Sequence, residues 1–145
     1  MTAKEIITLV CAIIGACAGL TGMVFGIIGI RRDKTTAVHL FMSEIENDEF
    51  IAARNHVYNT KEPLTIQDEQ AAKVINFFQH WGLLARKKYL PMWVFESGAG
   101  AGAIRLYEAT KQCIKAKREK NNDKTYASDF EWLYHTLKHE NQSNR

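Results

Sequence analysis

An uninterrupted run of uncharged residues near the N-terminus constrains this chain more than any other feature. Residues 6–30 are twenty-five consecutive positions without a charged side chain. A helix of that length rises about 37 Å, which is enough to cross a hydrocarbon core of about 30 Å. A core helix of a small soluble domain would not need so long an uncharged stretch. We therefore predict a single N-terminal transmembrane helix within an anchor of residues 1–34.

Two processing signals compete with an uncleaved anchor. Residues 16–18 (Ala-Cys-Ala) look like a small-residue cleavage site, and residues 14–17 loosely resemble a lipidation signal. A secretory signal stops being apolar near its cleavage site. Here the uncharged run continues past Cys17 to residue 30, so an uncleaved anchor is the favoured interpretation.

Basic residues flank the predicted span unequally. Lys4 and the amino terminus precede it, whereas Arg31, Arg32 and Lys34 follow it. Because basic flanks are retained in the cytoplasm, we expect the N-terminus outside and the C-terminal domain in the cytoplasm, at a cell's inner membrane. The three basic residues after the span are expected to contact the membrane surface.

Small residues recur along one face of the predicted span. They are spaced alternately three and four positions apart, which keeps them on one side of a helix: Ala12, Gly15, Gly19, Gly22, Gly26 and Gly29. Helices in lipid associate where small residues let their backbones approach closely. The pattern predicts that the anchor pairs with a second copy or with a partner's helix. The alternative is that glycine is simply common in membrane helices.

Apolar spacing after the anchor favours helix throughout, and no convincing alternating strand pattern appears. The sequence predicts an all-α protein in which residues 35–140 form a small helical bundle. Residues 141–145 are expected to be a disordered tail. Helices are expected at residues 36–45, from Asn47 or Asp48 to Tyr58, at 65–81, at 104–119 and from 128 onward.

Local signals set the expected helix ends. Thr65 is expected to cap a helix that Gly82 stops. Pro91 is expected to open a short helix. Ser128 and Glu131 form a predicted capping box for the last helix.

The charge of the predicted domain is nearly balanced. Residues 35–145 hold fifteen Lys and Arg against fourteen Asp and Glu, which is not typical of a specific nucleic-acid binder. A basic stretch at residues 105–124 could meet anionic lipid, although a solvated helix face is favoured. Cys11, Cys17 and Cys113 have no spacing typical of a disulfide framework or a zinc site, so Cys113 is expected in the core.

Residues 97–103 read Ser-Gly-Ala-Gly-Ala-Gly-Ala and resemble the glycine-rich motif G-x-G-x-x-A. Backbone amides at the start of a helix there, at Gly98 to Gly102, could hold a phosphate. A dinucleotide site also needs a second strand that ends in a carboxylate about twenty residues on, and no second strand is predicted. A tight bend or a close helix contact is the favoured interpretation. A nucleotide sensor or a small enzyme is the minor one.

Other chemistry-bearing residues are sparse. His135 and His139 lie one helical turn apart with Glu131 one turn earlier, a spacing that holds a metal only if further ligands arrive from elsewhere. A solvated helix face is favoured. No nucleophile motif occurs, and we predict no catalytic residue, no metal and no cofactor. The three tryptophans fall at spacings typical of a helical core: Trp81, Trp93 and Trp132.

Arg54 differs from the other basic residues because it adjoins an apolar helix face. It lies between Ala53 and Val57, so we expect it to be partly buried. A buried guanidinium needs a carboxylate partner, and Glu131 or Glu108 is the expected one. A structural ion pair is favoured over contact with a ligand or partner.

Several short stretches together resemble a known group of proteins. They are residues 53–54 (Ala-Arg), 71–74, 81–84 (Trp-Gly-Leu-Leu), 90–91, 126 and 130–133. Their order resembles a domain-of-unknown-function family of short bacterial and prophage-borne proteins. The resemblance covers about residues 35–138. It implies one N-terminal membrane helix and a small helical cytoplasmic domain, and it implies no catalytic residue.

These features predict a non-catalytic, single-pass membrane protein that recruits or regulates something at the membrane. Its expected partners are the lipid bilayer, a second copy through the glycine face, and an unidentified protein bound by the helical domain. The alternative is a membrane-acting effector of the phage-defence or toxin type, whose helices assemble and breach the bilayer. A span without an intramembrane charge does not favour a hydrophilic pore.

Overall fold

The computed structural model describes residues 34–96 and 98–143. Internal contacts divide the chain into two units, Met1–Thr36 and Ala37–Arg145. Almost all of the described residues belong to the second unit. The described helices are α1 (34–45), α2 (Asp48–Asn59), α3 (Glu69–Arg86), a 3-10 helix (Met92–Phe95), α4 (Gly98–Asn121) and α5 (Ser128–Ser143). These residues contain no strand, so the all-α prediction is confirmed for the described chain. α5 continues into the stretch expected to be a tail.

The predicted transmembrane span lies outside the described residues. Among the helices that the structure does describe, none combines the length and the apolarity needed to cross a bilayer. The six small residues of the glycine face, Arg31 and Arg32 also lie outside the described part. Lys34 falls within it, as an exposed residue at the start of α1.

Side-chain caps begin α2 and α3. Asn47 Oδ1 accepts from the Glu49 amide at 2.8 Å, so Asn47 is the cap of the two alternatives Asn47 and Asp48, and Asp68 Oδ1 accepts from the Ala71 amide at 2.9 Å. The prediction that Thr65 caps α3 is therefore wrong, because Asp68 is a stronger cap three residues later. Burial alone would raise the pKa of Asp68, but the Ala71 amide and the adjacent His56 outweigh burial and lower it.

The predicted stop at Gly82 is also wrong, because α3 continues to Arg86. Gly82 is buried against α5, where a Cβ atom would lie 2.5 Å from the Asp129 carbonyl oxygen. The glycine therefore serves a close helix contact and not a helix end. The helix ends at Arg86 with Lys87 as its C-cap, and the next residue, Lys88, has a positive φ of 64°.

α5 begins without the predicted capping box. Glu131 points away from Ser128, toward residues of α4. Ala127 precedes the helix with a positive φ of 58°, and its carbonyl oxygen accepts from the Glu131 amide at 3.0 Å. The box requires the glutamate to turn back toward the helix start, and this glutamate is held by a different helix.

α3 is the central element of the bundle and packs mainly against α5 and α2. Its buried face includes Phe78, which is 1% exposed and stacks on Phe130 of α5 with ring centroids 4.9 Å apart. Phe41 of α1 meets Trp81 edge-on at 5.2 Å and Phe95 at 5.1 Å. These aromatic contacts join α1, α3, α5 and the 3-10 helix into one core.

Candidate functional site

The candidate site is a groove between α1, α2 and the glycine-rich start of α4. It has a volume of about 360 Å³. Its walls are mostly apolar, with two charged side chains among them, and are formed by Met42, Ile45, Glu46, Phe50, Ile51, Arg54, Phe78, Gly98, Ala99, Gly102 and Leu106. We call it the Arg54 groove. An open, largely apolar groove with one cation and one anion is suited to bind an apolar segment in a fixed orientation.

The periodicity of α2 places Arg54 in this groove. Phe50, Ala53 and Val57 face the core and are buried, and Arg54 lies at the edge of that stripe. Its side chain is half-buried, as the sequence predicts. Arg54 forms no ion pair with any residue that the structure describes.

Both carboxylates expected to pair with Arg54 have other partners. Glu131 Oε2 accepts from Arg118 at 2.9 Å, and Glu108 Oε1 lies 3.6 Å from the Lys138 ammonium. The structure thus gives Glu131 an ion pair, but with α4 and not with α2. The missing carboxylate is the main difference between the expected and the observed site.

The glycine run forms the first turns of α4 and not a loop. Gly100 is buried against Phe95, whose carbonyl oxygen occupies the place that a Cβ atom would need. The Gly102 carbonyl accepts from the Tyr58 hydroxyl at 3.3 Å. Small residues here let the 3-10 helix and α2 approach α4. Of the two features expected from the sequence, a tight bend or a close helix contact, the structure has the close contact.

A polar network joins α4 to α5. Glu131 accepts from the Tyr107 hydroxyl at 2.9 Å as well as from Arg118, and the Arg118 Nε donates to the Tyr126 carbonyl at 2.8 Å. Burial alone would raise the pKa of Glu131, but the hydrogen bonds from Arg118 and Tyr107 outweigh it and lower the pKa. Burial and the Glu131 carboxylate raise the pKa of the Tyr107 hydroxyl.

This network also involves one of the three α5 residues whose spacing was weighed as a possible metal site. Glu131 is engaged by Arg118, while His135 and His139 lie exposed on α5. Within the described residues no three potential ligands converge on one point. Cys113 is buried in the core, as predicted, and its thiol donates to the Thr65 carbonyl at 3.3 Å.

The three tryptophans have different environments. Trp81 is 2% exposed, and its indole donates to Glu44 at 3.0 Å, whereas Trp132 is half-buried. Trp93 is 55% exposed, so the core position predicted for it is wrong. The 3-10 helix turns Val94 and Phe95 inward, which directs Trp93 to the surface. Sequence spacing missed this exposed indole.

Comparison with known proteins relates the chain to a family model. Residues 13–137 match a domain of unknown function, DUF4760. The matched region includes residues 13–30 of the apolar run as well as the described helices through most of α5. No curated protein and no solved structure matches the chain.

Proposed function

The chain belongs to the DUF4760 family, and from that premise we propose that it is a non-catalytic, membrane-anchored interaction module. Residues 6–30 serve as the single-pass anchor and pair through the glycine face, from Ala12 to Gly29. The helical domain presents the Arg54 groove to a protein partner on the cytoplasmic side. The family match supports this because it covers part of the apolar run and most of the helical bundle in one matched region, residues 13–137.

The observation that carries the proposal is the half-buried, unpaired Arg54. A guanidinium taken partly out of water needs a carboxylate to offset its desolvation. The described residues supply none. A partner that brings a carboxylate to Arg54 would therefore gain a charge-assisted hydrogen bond in a partly dry site.

The other residues that line the groove indicate which kind of partner segment would fit it. Met42, Ile45 and Ile51 offer an apolar wall, which suits a segment with one or two large apolar side chains. Glu46 is exposed at the groove and repels a second carboxylate. The partner segment that fits best is apolar with one acidic residue, directed toward Arg54 and away from Glu46.

Site-specific photo-crosslinking in the protein's own host tests this proposal. A photoreactive residue at Met42, which is 36% exposed and lines the groove, should yield one discrete crosslinked product with the full-length chain. Arg54→Glu should reduce that product at least about tenfold, because reversing one charge of a partly buried pair costs roughly 2–5 kcal/mol. Mass spectrometry of the product identifies the partner segment.

Two controls belong to this experiment. Lys111→Glu makes the same charge change at an exposed position of α4 and should leave the product intact. A photoreactive residue at the exposed Lys124 should not yield it. Products that survive Arg54→Glu unchanged would rule out the groove as the partner site.

The alternative function is a membrane-acting effector, which the length of the glycine face also supports. Close packing serves dimers and larger assemblies alike. We expect induced expression to leave membrane potential and growth normal for wild type, Gly19→Leu and Gly22→Leu. Depolarisation by wild type that both variants abolish would instead establish an effector that acts through helix assembly.

A further inference from the structure

Large hydrophobic side chains are exposed at and beside the turn between α3 and the 3-10 helix. Six such side chains are exposed among the described residues, and three of them lie in this stretch: Leu83 in the last turn of α3 at 39%, Tyr89 in the turn at 60% and Trp93 in the 3-10 helix at 55%. Large exposed apolar surface marks a site of protein or membrane contact, and these three side chains lie within eleven residues of the sequence. We call the set of Leu83, Lys87, Lys88, Tyr89 and Trp93 the aromatic–basic turn.

Backbone hydrogen bonds close this turn. The Tyr89 amide donates to the Leu84 carbonyl at 2.9 Å, and the Lys88 amide donates to Ala85 at 2.9 Å. This pair of bonds closes α3 with a Schellman motif. Leu90 then turns inward and is 1% exposed. The exposed aromatic rings are therefore presented by an ordered backbone.

Lys88 occupies the position of that motif at which glycine is usual, with a φ of 64°. A lysine there accepts a strained backbone conformation and adds a charge beside Lys87. Neither lysine forms an ion pair within the described residues. The neighbouring Arg86 lies 3.1 Å from Asp129. The turn thus carries two exposed lysines with no ion pair among the described residues, directly before Tyr89 and a few residues before Trp93 in the sequence.

We propose that the aromatic–basic turn binds the surface of an anionic lipid bilayer. Tryptophan and tyrosine favour the headgroup level of membranes because their rings are amphipathic. Lysine is attracted by the negative potential of anionic lipid, whereas it is depleted from protein–protein interfaces. The combination of exposed indole, phenol and paired lysines therefore favours lipid over a protein partner at this surface.

Chain length keeps the turn within reach of the bilayer, given the anchor that we propose. Phe41 contacts Phe95 with ring centroids 5.1 Å apart, and Phe95 belongs to the same 3-10 helix as Trp93. The eleven residues from the end of the uncharged run at residue 30 to Phe41 span at most about 38 Å even when fully extended. This inference rests on the proposed anchoring, and it adds a second contact with the membrane.

Tryptophan fluorescence of the full-length protein in lipid nanodiscs tests the proposal, because both faces of a nanodisc are open to solvent. Discs of pure phosphatidylcholine are compared with discs that contain phosphatidylglycerol. The emission of Trp93→Phe is subtracted from that of wild type, which isolates Trp93 from Trp81 and Trp132. Quenching by iodide reports exposure to water, and quenching by brominated lipid reports contact with the bilayer.

In anionic discs we expect Trp93 to be shielded from iodide and quenched by brominated lipid. Lys87→Glu/Lys88→Glu should restore quenching by iodide and reduce quenching by brominated lipid, because each lysine changes the docking equilibrium about fivefold. High salt should likewise weaken the docking. Lys111→Glu/Lys115→Glu makes the same charge change at exposed positions of α4 and should leave Trp93 protected.

The outcomes separate this inference from the proposed function. Protein that fails to enter the nanodiscs, as judged by co-elution, would overturn the anchor itself and the docking with it. Protein that enters while Trp93 remains equally open to iodide in both lipids would overturn the docking alone, and would leave Trp93 as a contact for another protein.

Discussion

Phe78→Ala should lower the free energy of unfolding by about 3–5 kcal/mol, the usual cost of removing a buried phenyl ring. Phe78 is 1% exposed, stacks on Phe130 of α5 and meets Phe50 of α2 edge-on at 6.0 Å. Its removal leaves a cavity where three helices meet. Thermal unfolding of the full-length protein in mild detergent should show a fall in Tm of about 15 °C or more.

Asn76→Ala is the matched control for this change. Asn76 lies two residues earlier on the same helix and is exposed, so its replacement should alter stability by no more than about 0.5 kcal/mol. Equal Tm values for Phe78→Ala and Asn76→Ala would contradict the position of Phe78 at the centre of the core.

Gly82→Ala should destabilise the protein by about 1–3 kcal/mol, the usual cost of forcing extra atoms into a packed contact. An added Cβ atom would lie 2.5 Å from the Asp129 carbonyl oxygen and 2.9 Å from the carbonyl carbon. Because both are backbone atoms, no side-chain rotation relieves the overlap. α3 and α5 would have to separate, and thermal unfolding of the full-length variant measures the loss.

Gly98→Ala makes the same chemical change where space is open. Apart from its chain neighbours and the adjacent backbone of its own helix, no heavy atom lies within 4 Å of its added Cβ, and Gly98 is the first residue of α4. The better helix propensity of alanine should therefore raise stability, by up to about 1 kcal/mol. The two glycine variants should shift Tm in opposite directions, and a rise for both would show that α3 and α5 do not approach closely at Gly82.

The local signals in the sequence predicted the helices well, because helix formation depends mainly on near neighbours. The apolar spacing of α3 anticipated the buried Val74, Phe78 and Trp81. Asn47 caps α2 as its residue type predicts, and Pro91 precedes the short helix that it was expected to open.

Predictions from local signals were wrong for residues whose main contacts are with a helix far along the chain. Gly82 was predicted as a stop because glycine often ends helices, but it serves contact with Asp129, which lies far along the chain. Glu131 was predicted to cap its own helix, but Arg118 and Tyr107 hold its carboxylate. The spacing of apolar residues along one helix predicts neither of these contacts between helices.

For the candidate site too, the sequence predicted local properties and the tertiary structure decided the long-range contacts. The sequence predicted that Arg54 is partly buried, because it adjoins an apolar stripe of α2. Only the tertiary structure decided that both expected carboxylates are engaged elsewhere, which leaves Arg54 facing the groove. Likewise, the sequence identified Trp93 as a large apolar residue, and only the orientation of the 3-10 helix decided that it is exposed.

The sequence by itself thus determined the all-α class, the order of the helices and most of the core face of each, since these follow from backbone propensity and apolar periodicity over a few turns. The tertiary structure decided which charges are paired and which surfaces are left open. Those properties depend on distances between residues far apart in the chain, and helix packing sets those distances.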